Sequence, residues 1–329
     1  MAESFMAGEW STTDLAELLK LGSINSSALK QVYVKTWIAR SLDRIRHSQR
    51  RNTPSGSRRN IAAHYDLGNN FYHKWLDQTM SYSSALFEKY NEPIEVAQRR
   101  KYLRIAERLG LKPGQRVLEI GCGWGGFAEI AAAEFGCNVV GITISNEQAA
   151  FANARMASLQ LSEKVEIRLQ DYRDVEGGFD KIVSIEMFEA VGAEYWQTYL
   201  DVLARCLKPG GQAALQIITI ENDRFASYHN DPEFIQRYIF PGGMLPSPNV
   251  LGKALSQAKL KITNAFYFGK SYAETLRRWD QTFQAHWPEI KKLGFDERFY
   301  RMWRYYFCYC EVGFDQGVID VGQFVIEAE

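Results

Sequence analysis

A glycine-rich turn, Leu118-Glu119-Ile120-Gly121-Cys122-Gly123-Trp124-Gly125-Gly126, joins an apolar run at 116–120 to an amphipathic stretch at 127–134. Such a turn is informative where a strand enters it and a helix leaves it, and the sequence predicts both here. Glycines let the chain turn tightly and let a ligand lie against bare amides. The surroundings repeat the alternation. Helices are predicted at 94–109, 127–134, 146–159 and 193–207, and strands at 116–120, 138–142, 165–169, 181–185 and 212–218. Strand and helix in alternation imply a doubly wound α/β fold around a mostly parallel sheet, with crossover helices on both faces. The spacing departs from the dinucleotide fingerprint, which places an acid about 20 residues further on, at the end of the second strand. Thr143 stands there instead.

Charge and cysteine content narrow the function classes. With 39 Lys+Arg and 39 Asp+Glu the 329-residue chain has no bulk positive charge for a polyanion, and nucleic acid is not an expected partner. No apolar stretch approaches the roughly 20 residues of a membrane span. Five cysteines, with Cys308 and Cys310 two apart, fit neither a zinc site nor a disulfide scaffold, so no metal is expected and a reduced, cytoplasmic setting is. The first 40 residues read as helical, at 14–19 and 29–35. Residues 40–59 carry seven arginines and one aspartate and end in Asn52-Thr53-Pro54-Ser55-Gly56-Ser57, linker chemistry that sets a boundary near residue 60. We therefore divide the chain into a helical region with an Arg-rich linker, 1–59, and a main domain, 60–329, interrupted by a lid insertion at about 221–287.

Seven segments then occur in one order: His64-Tyr65-Asp66-Leu67-Gly68-Asn69, Met80-Ser81-Tyr82-Ser83-Ser84-Ala85, the glycine turn, Gly141 to Ser145 with Gln148, Leu169 to Asp174, Met187 to Gly192, and Tyr238 to Gly243. The series resembles the cyclopropane-fatty-acyl-phospholipid synthases and mycolic acid cyclopropane synthases, within the class I S-adenosylmethionine methyltransferases. It covers about residues 60–327. The opening Glu3-Ser4-Phe5-Met6 with Gly8 and Trp10 resembles the end of the family's N-terminal domain.

The resemblance implies a seven-stranded Rossmann-like domain that methylates the double bond of an unsaturated phospholipid acyl chain through a carbocation, giving a cyclopropane or a methylated, branched or unsaturated chain. It assigns Tyr82 and Ser83 to a lid over the methionine end of S-adenosylmethionine, beside Glu119, Gly121 and Gly123. It assigns Thr143 and Gln148 to the ribose, and Asp171 and Tyr172 to the adenine. Aromatic faces stabilise a cation without trapping it, so Tyr65, Tyr238, Phe240, Tyr272, Trp279 and Tyr305 are candidates.

For the base, the resemblance implies a bicarbonate held by a cysteine, a glutamate, a histidine, an isoleucine backbone and a tyrosine. Glu189, Ile218 and Tyr272 match; Ser84 replaces the cysteine and Gln216 the histidine. Ala190 stands where a histidine usually follows the glutamate, and Glu186 where many relatives have glycine. Ser84 and Gln216 can donate to an anion, but a Glu186 carboxylate would repel one. We expect bicarbonate to be weakened or dispensed with and Glu186 or Glu189 to take the proton, the two lying three apart on one helical face.

Expected partners are unsaturated phospholipid chains, the inner face of a membrane touched transiently through residues 44–59 and the apolar N-terminal helices, and a second copy in a homodimer. Two other readings stay open: methylation of a small amine, because plant benzylisoquinoline N-methyltransferases resemble the family and carry such glutamates, and a cofactor-binding protein without catalysis.

Overall fold

The computed structural model describes residues 1–25, 67–230 and 234–329. The predicted helix at 29–35, the arginine run, the boundary near residue 60 and Tyr65 lie outside the described residues.

Seven strands form one sheet: β1 (Arg116–Ile120), β2 (Asn138–Thr143), β3 (Val165–Leu169), β4 (Phe179–Ile185), β5 (Leu207–Ile220), β6 (Leu260–Tyr267) and β7 (Ile319–Ala328). Their spatial order is 3-2-1-4-5-7-6. Strands β1 to β5 are parallel, and β7 runs antiparallel between β5 and β6. Central strands β1 and β4 are buried along nearly their whole length, the pattern of a parallel sheet covered on both faces. The doubly wound, mostly parallel architecture expected from the sequence is therefore present. Chain direction across the sheet reverses between β1 and β4, and ligands of such sheets bind in the crevice at that point.

The stretch 221–287 is not one lid insertion. Helix Pro248–Gln257 and β6 lie within it, and Leu251, Leu255 and Leu260 bury into the same apolar cluster as Leu203 and Ile217. β6 pairs with β7 from Leu260↔Ala328 onward, which satisfies its backbone. What stands outside the sheet pattern is helix Asn222–Asn230, helix Phe234–Tyr238 and the loop leading to Ser247.

Helices Gly269–Ala285 and Glu297–Asp315 bring an aromatic layer onto the sheet. Phe71, Trp75, Trp279, Phe283, Trp303 and Phe307 are essentially inaccessible to solvent and pack mostly edge to face or tilted, with Phe71 and Trp303 centroids 4.9 Å apart. Much of the aromatic content is thus core.

The N-terminal helices belong to this layer too. Asp14 caps helix Leu15–Ile24 by accepting from Glu17 N–H at 2.9 Å. Phe5, Met6, Leu15 and Leu19 bury in the aromatic cluster, and Arg301 donates to the carbonyls of Phe5 and Trp10 at 3.3 and 3.2 Å. These buried apolar side chains are occupied by packing, which removes them as a membrane-docking surface.

Candidate functional site

The crevice at the β1/β4 reversal is a cavity bordered by the glycine turn, the ends of β2 and β3, and the turn after β4. Every residue assigned to the cofactor lines it: Tyr82, Ser83, Glu119, Gly121, Gly123, Thr143, Gln148, Asp171 and Tyr172. Gly121 has φ +79° and packs so closely that a Cβ there would lie 2.8 Å from Met187 Cγ.

The polar groups are partly spoken for. Thr143 Oγ1 donates to Gln148 Oε1 at 2.8 Å, which leaves the Gln148 amide nitrogen as the outward donor. Asp171 accepts from Arg173 Nε and Nη2 at 2.9 and 2.8 Å, so a base amino group would share a carboxylate already ion-paired. Glu119 is different. Its Oε2 is buried without a partner, and burial pushes its carboxyl up to about 8. A ligand that brings an ammonium group or N–H donors fits that atom, and the amino-acid end of S-adenosylmethionine carries such a group.

Beside this cavity four of the base-region residues converge. Glu186 follows β4 with φ +52°, a left-handed conformation that costs a non-glycine residue about 1–2 kcal/mol. Glycine takes it freely, which accounts for the glycine the resemblance implies there. The carboxylate of Glu186 accepts from Ser84 N–H at 2.9 Å, Gln216 Nε2 at 2.7 Å and Tyr272 Oη at 2.5 Å. These are three of the positions assigned to bicarbonate. The carboxylate is therefore bonded by them, whereas a neighbour that repels an anion was expected. Ser84 contributes its backbone N–H; its hydroxyl donates to Ala85 O.

Glu189 lies behind Glu186 and does not line the cavity. One oxygen accepts from Ile218 N–H, and Oε2 is buried without a partner. The left-handed Glu186 precedes helix Phe188–Val191, so the two glutamates do not share a helical face. Burial first, and the charge of Glu186 second, push Glu189 up to about 8; burial also raises Glu186. The folded chain thus keeps a proton on Glu189 that the unfolded chain releases near 4.5, and this costs stability as pH rises from about 4.5 to about 8. Glu189→Gln should accordingly gain on the unsubstituted protein by a few °C in Tm between pH 5 and pH 8. A Tm difference flat across that range would count against a buried, protonated Glu189.

The aromatic candidates divide. Trp279 and Phe240 flank Tyr82, with centroids 5.4 and 6.5 Å away, and Tyr272 reaches Glu186. Tyr305 packs on Phe5 and Phe234, away from the cavity, and Tyr238 donates to Glu3 at 2.8 Å. Tyr306, not singled out in the sequence, accepts from Tyr82 Oη at 3.1 Å. Also missed were Gln323, which donates to Gln216 Oε1 at 3.0 Å, and Arg104, which donates to Gln323 at 2.7 Å. Gln98 and Lys101 were missed as well, although two long polar side chains on the buried stripe of helix Ile94–Arg108 were a readable signal. Among the described residues no His/Cys/Asp/Glu group could hold a metal, and no helix is long and apolar enough to cross a membrane.

The comparisons with known proteins agree with this geometry. The sequence model of mycolic acid cyclopropane synthetase matches residues 52–324. Tuberculostearic acid methyltransferase UfaA1 of Mycobacterium tuberculosis is 40% identical, over 99% of this chain and 78% of that protein. Cyclopropane-fatty-acyl-phospholipid synthase of Escherichia coli is 42% identical, over 80% of this chain and 66% of that protein. The crystal structure of mycolic acid cyclopropane synthase CmaA1 complexed with SAH and CTAB superposes with a TM-score of 0.77 at 31% identity, covering 82% of this chain and 97% of that one. With a parallel sheet of this order, a glycine-turn cavity and matches of this extent, the chain belongs to the mycolic acid cyclopropane synthetase family of S-adenosylmethionine-dependent methyltransferases.

Proposed function

We propose that this chain transfers a methyl group to the double bond of an unsaturated fatty acyl chain of a phospholipid, and that Glu186 is the base, standing in for bicarbonate. The observation that carries the reading is the convergence of Ser84 N–H, Gln216 and Tyr272 on the Glu186 carboxylate at the edge of the cofactor cavity. S-adenosylmethionine, when bound, supplies the electrophilic methyl carbon. The chain's own part is to orient the alkene, exclude water and accept a proton. Tyr82 lines the cavity, with Trp279 and Phe240 packed against its ring and Tyr306 against Phe240, an aromatic wall that stabilises a cation without attacking it.

A tethered carboxylate carries the same single charge as bicarbonate and needs no capture from solution, so the entropy of binding an ion is already met. Glu186 is preferred over Glu189 because it faces the cavity, while Glu189 points to the Ile218 backbone. Met244 N–H donates to Glu189 O at 2.9 Å, tying the 239–247 loop to the base turn and making that loop our choice for the acyl-chain cover. Relatives at 40% and 42% identity are named for fatty-acid and fatty-acyl-phospholipid chemistry, which favours lipid over a small amine. Transient contact with the inner membrane face by a cytoplasmic protein, and a homodimer, complete the proposal.

Vesicles of oleoyl phospholipid with deuteromethyl cofactor, with and without bicarbonate, test it. Turnover is expected to be the same in both. Two deuteriums retained mean that Glu186 takes a methyl proton, three that it takes a chain proton, and mild hydrogenation separates a ring from an alkene. Turnover that depends on bicarbonate overturns the assignment of Glu186.

A further inference from the structure

Helix Ile94–Arg108 points Gln98 and Lys101 inward, and neither has measurable exposure. Lys101 Nζ donates to Ser83 Oγ at 2.5 Å and to Gln98 Oε1 at 2.7 Å. Gln98 Nε2 donates in turn to Ser83 O at 2.9 Å. The pair thus grips Ser83 by side chain and backbone. Tyr82 and Ser83 line the cofactor cavity, and Ser84 N–H holds Glu186, so one buried amine sits under both halves of the site.

No described carboxylate pairs directly with Nζ. The charged groups around it come from several elements: Asp77 from the segment before the grip, Glu119 from β1 and Glu186 from the turn after β4. Its other neighbours are the Tyr102 ring, whose centroid is 4.1 Å from Nζ, and Gln323 of β7, which donates to Lys101 O at 3.2 Å. Arg155 acts on the same Glu119 but is itself paired with Glu129 at 2.6 Å. Lys101 therefore places a buried amine within electrostatic reach of Glu119 and Glu186, both of which border the cavity.

We propose that Lys101 is a positioning residue with two roles: it clamps the 82–84 segment, and its charge opposes the cofactor's sulfonium, so that losing its proton strengthens the preference for S-adenosylmethionine over S-adenosylhomocysteine. The two ligands differ by one methyl and one positive charge and share the same amino-acid end. A charge at Lys101 therefore acts on their ratio, while the grip on Ser83 acts on both alike. Burial brings Lys101 down to about 7, so the amine changes charge near neutrality. The neutral amine keeps two N–H bonds, enough for Ser83 Oγ and Gln98 Oε1, and the clamp survives deprotonation. The proton passes to solvent and no bond to carbon changes.

Binding of the two ligands, measured by calorimetry between pH 6 and pH 8, tests this without turnover. The S-adenosylmethionine preference is expected to rise about tenfold across that range, the effect of removing one nearby charge at an intermediate dielectric. Lys101→Met should show the high-pH preference at every pH, and Lys101→Arg, which cannot lose its charge, the low-pH preference. The slope should persist in Glu186→Gln protein, which keeps Lys101, so failure of Glu186 as base and failure of this inference are separable. Should neither Lys101 variant fold, the slope in Glu119→Gln protein decides: that variant removes the other cavity-lining group that changes charge near neutrality and keeps Lys101, so loss of the slope there overturns the charge role. A preference that does not vary with pH, or that Lys101→Met and Lys101→Arg leave unmoved while both ligands weaken equally, overturns the charge role and leaves a clamp alone.

Discussion

Glu186→Gln protein is expected to turn over about 10³-fold more slowly than the unsubstituted protein while binding S-adenosylhomocysteine within a few-fold of it. The amide is nearly isosteric with the carboxylate. Its oxygen can keep the bonds from Ser84 N–H and Gln216, and its nitrogen can turn toward Tyr272, so the turn survives and only the proton acceptor is lost. Glu186→Gly removes the side chain and leaves those three donors facing a space of carboxylate size. It also relieves a left-handed backbone, which offsets part of the cost of leaving those donors unpaired. Added bicarbonate should then restore a measurable part of the rate in the glycine variant and none in the glutamine variant. Single-turnover measurements on oleoyl phospholipid give the comparison. Glu186→Gln retaining more than a tenth of the rate would place the base elsewhere.

Gly121→Ala is expected to weaken cofactor binding and turnover together, each by at least about tenfold. Two effects add. A left-handed conformation costs alanine about 1–2 kcal/mol, and the new methyl must displace Met187, whose Cγ lies 2.8 Å from its position. Met187 follows Glu186 directly, so the strain at the cofactor turn passes into the base turn. Gly114→Ala serves as the control, because its φ is +78°, nothing lies within 4 Å of its Cβ and it does not line the cavity, so it should carry only the backbone cost. Equal losses in the two variants, by calorimetry and turnover, would mean that the Met187 contact transmits nothing.

Where the sequence was readable, it was so because local chemistry left few choices. The run 116–120, entering a turn with three left-handed glycines, had to be a strand feeding a ligand loop, and Arg116–Ile120 is β1. All nine cofactor positions line one cavity because each lies at the carboxyl end of a strand or against it, and parallel strands bring those ends together. The N-terminal helices were legible as helices but not as core. The side chains they bury, Phe5, Met6, Leu15 and Leu19, join the cluster of helix Glu297–Asp315, nearly 300 residues away, and periodicity carries no information about a partner so distant. The lid was misjudged for a related reason. β6 has one buried residue at its start and an otherwise exposed outer edge, so it lacks the apolar run by which the inner strands were found.

The sequence by itself determined the sheet and the glycine turn, and it pointed to Ser84, Gln216, Ala190 and Glu186 as departures from the pattern that the resemblance implies. It did not determine what those departures do. Two carboxylates three apart read as neighbours on one helical face, and an added acid reads as hostile to an anion. Tertiary structure decided otherwise, because Glu186 takes a left-handed backbone that no helical spacing anticipates and thereby reaches donors from residues 84, 216 and 272. Those donors come from a loop, a strand and a helix far apart in the chain. A charge's sign is written in its residue, but which groups meet that charge depends on where the backbone delivers it.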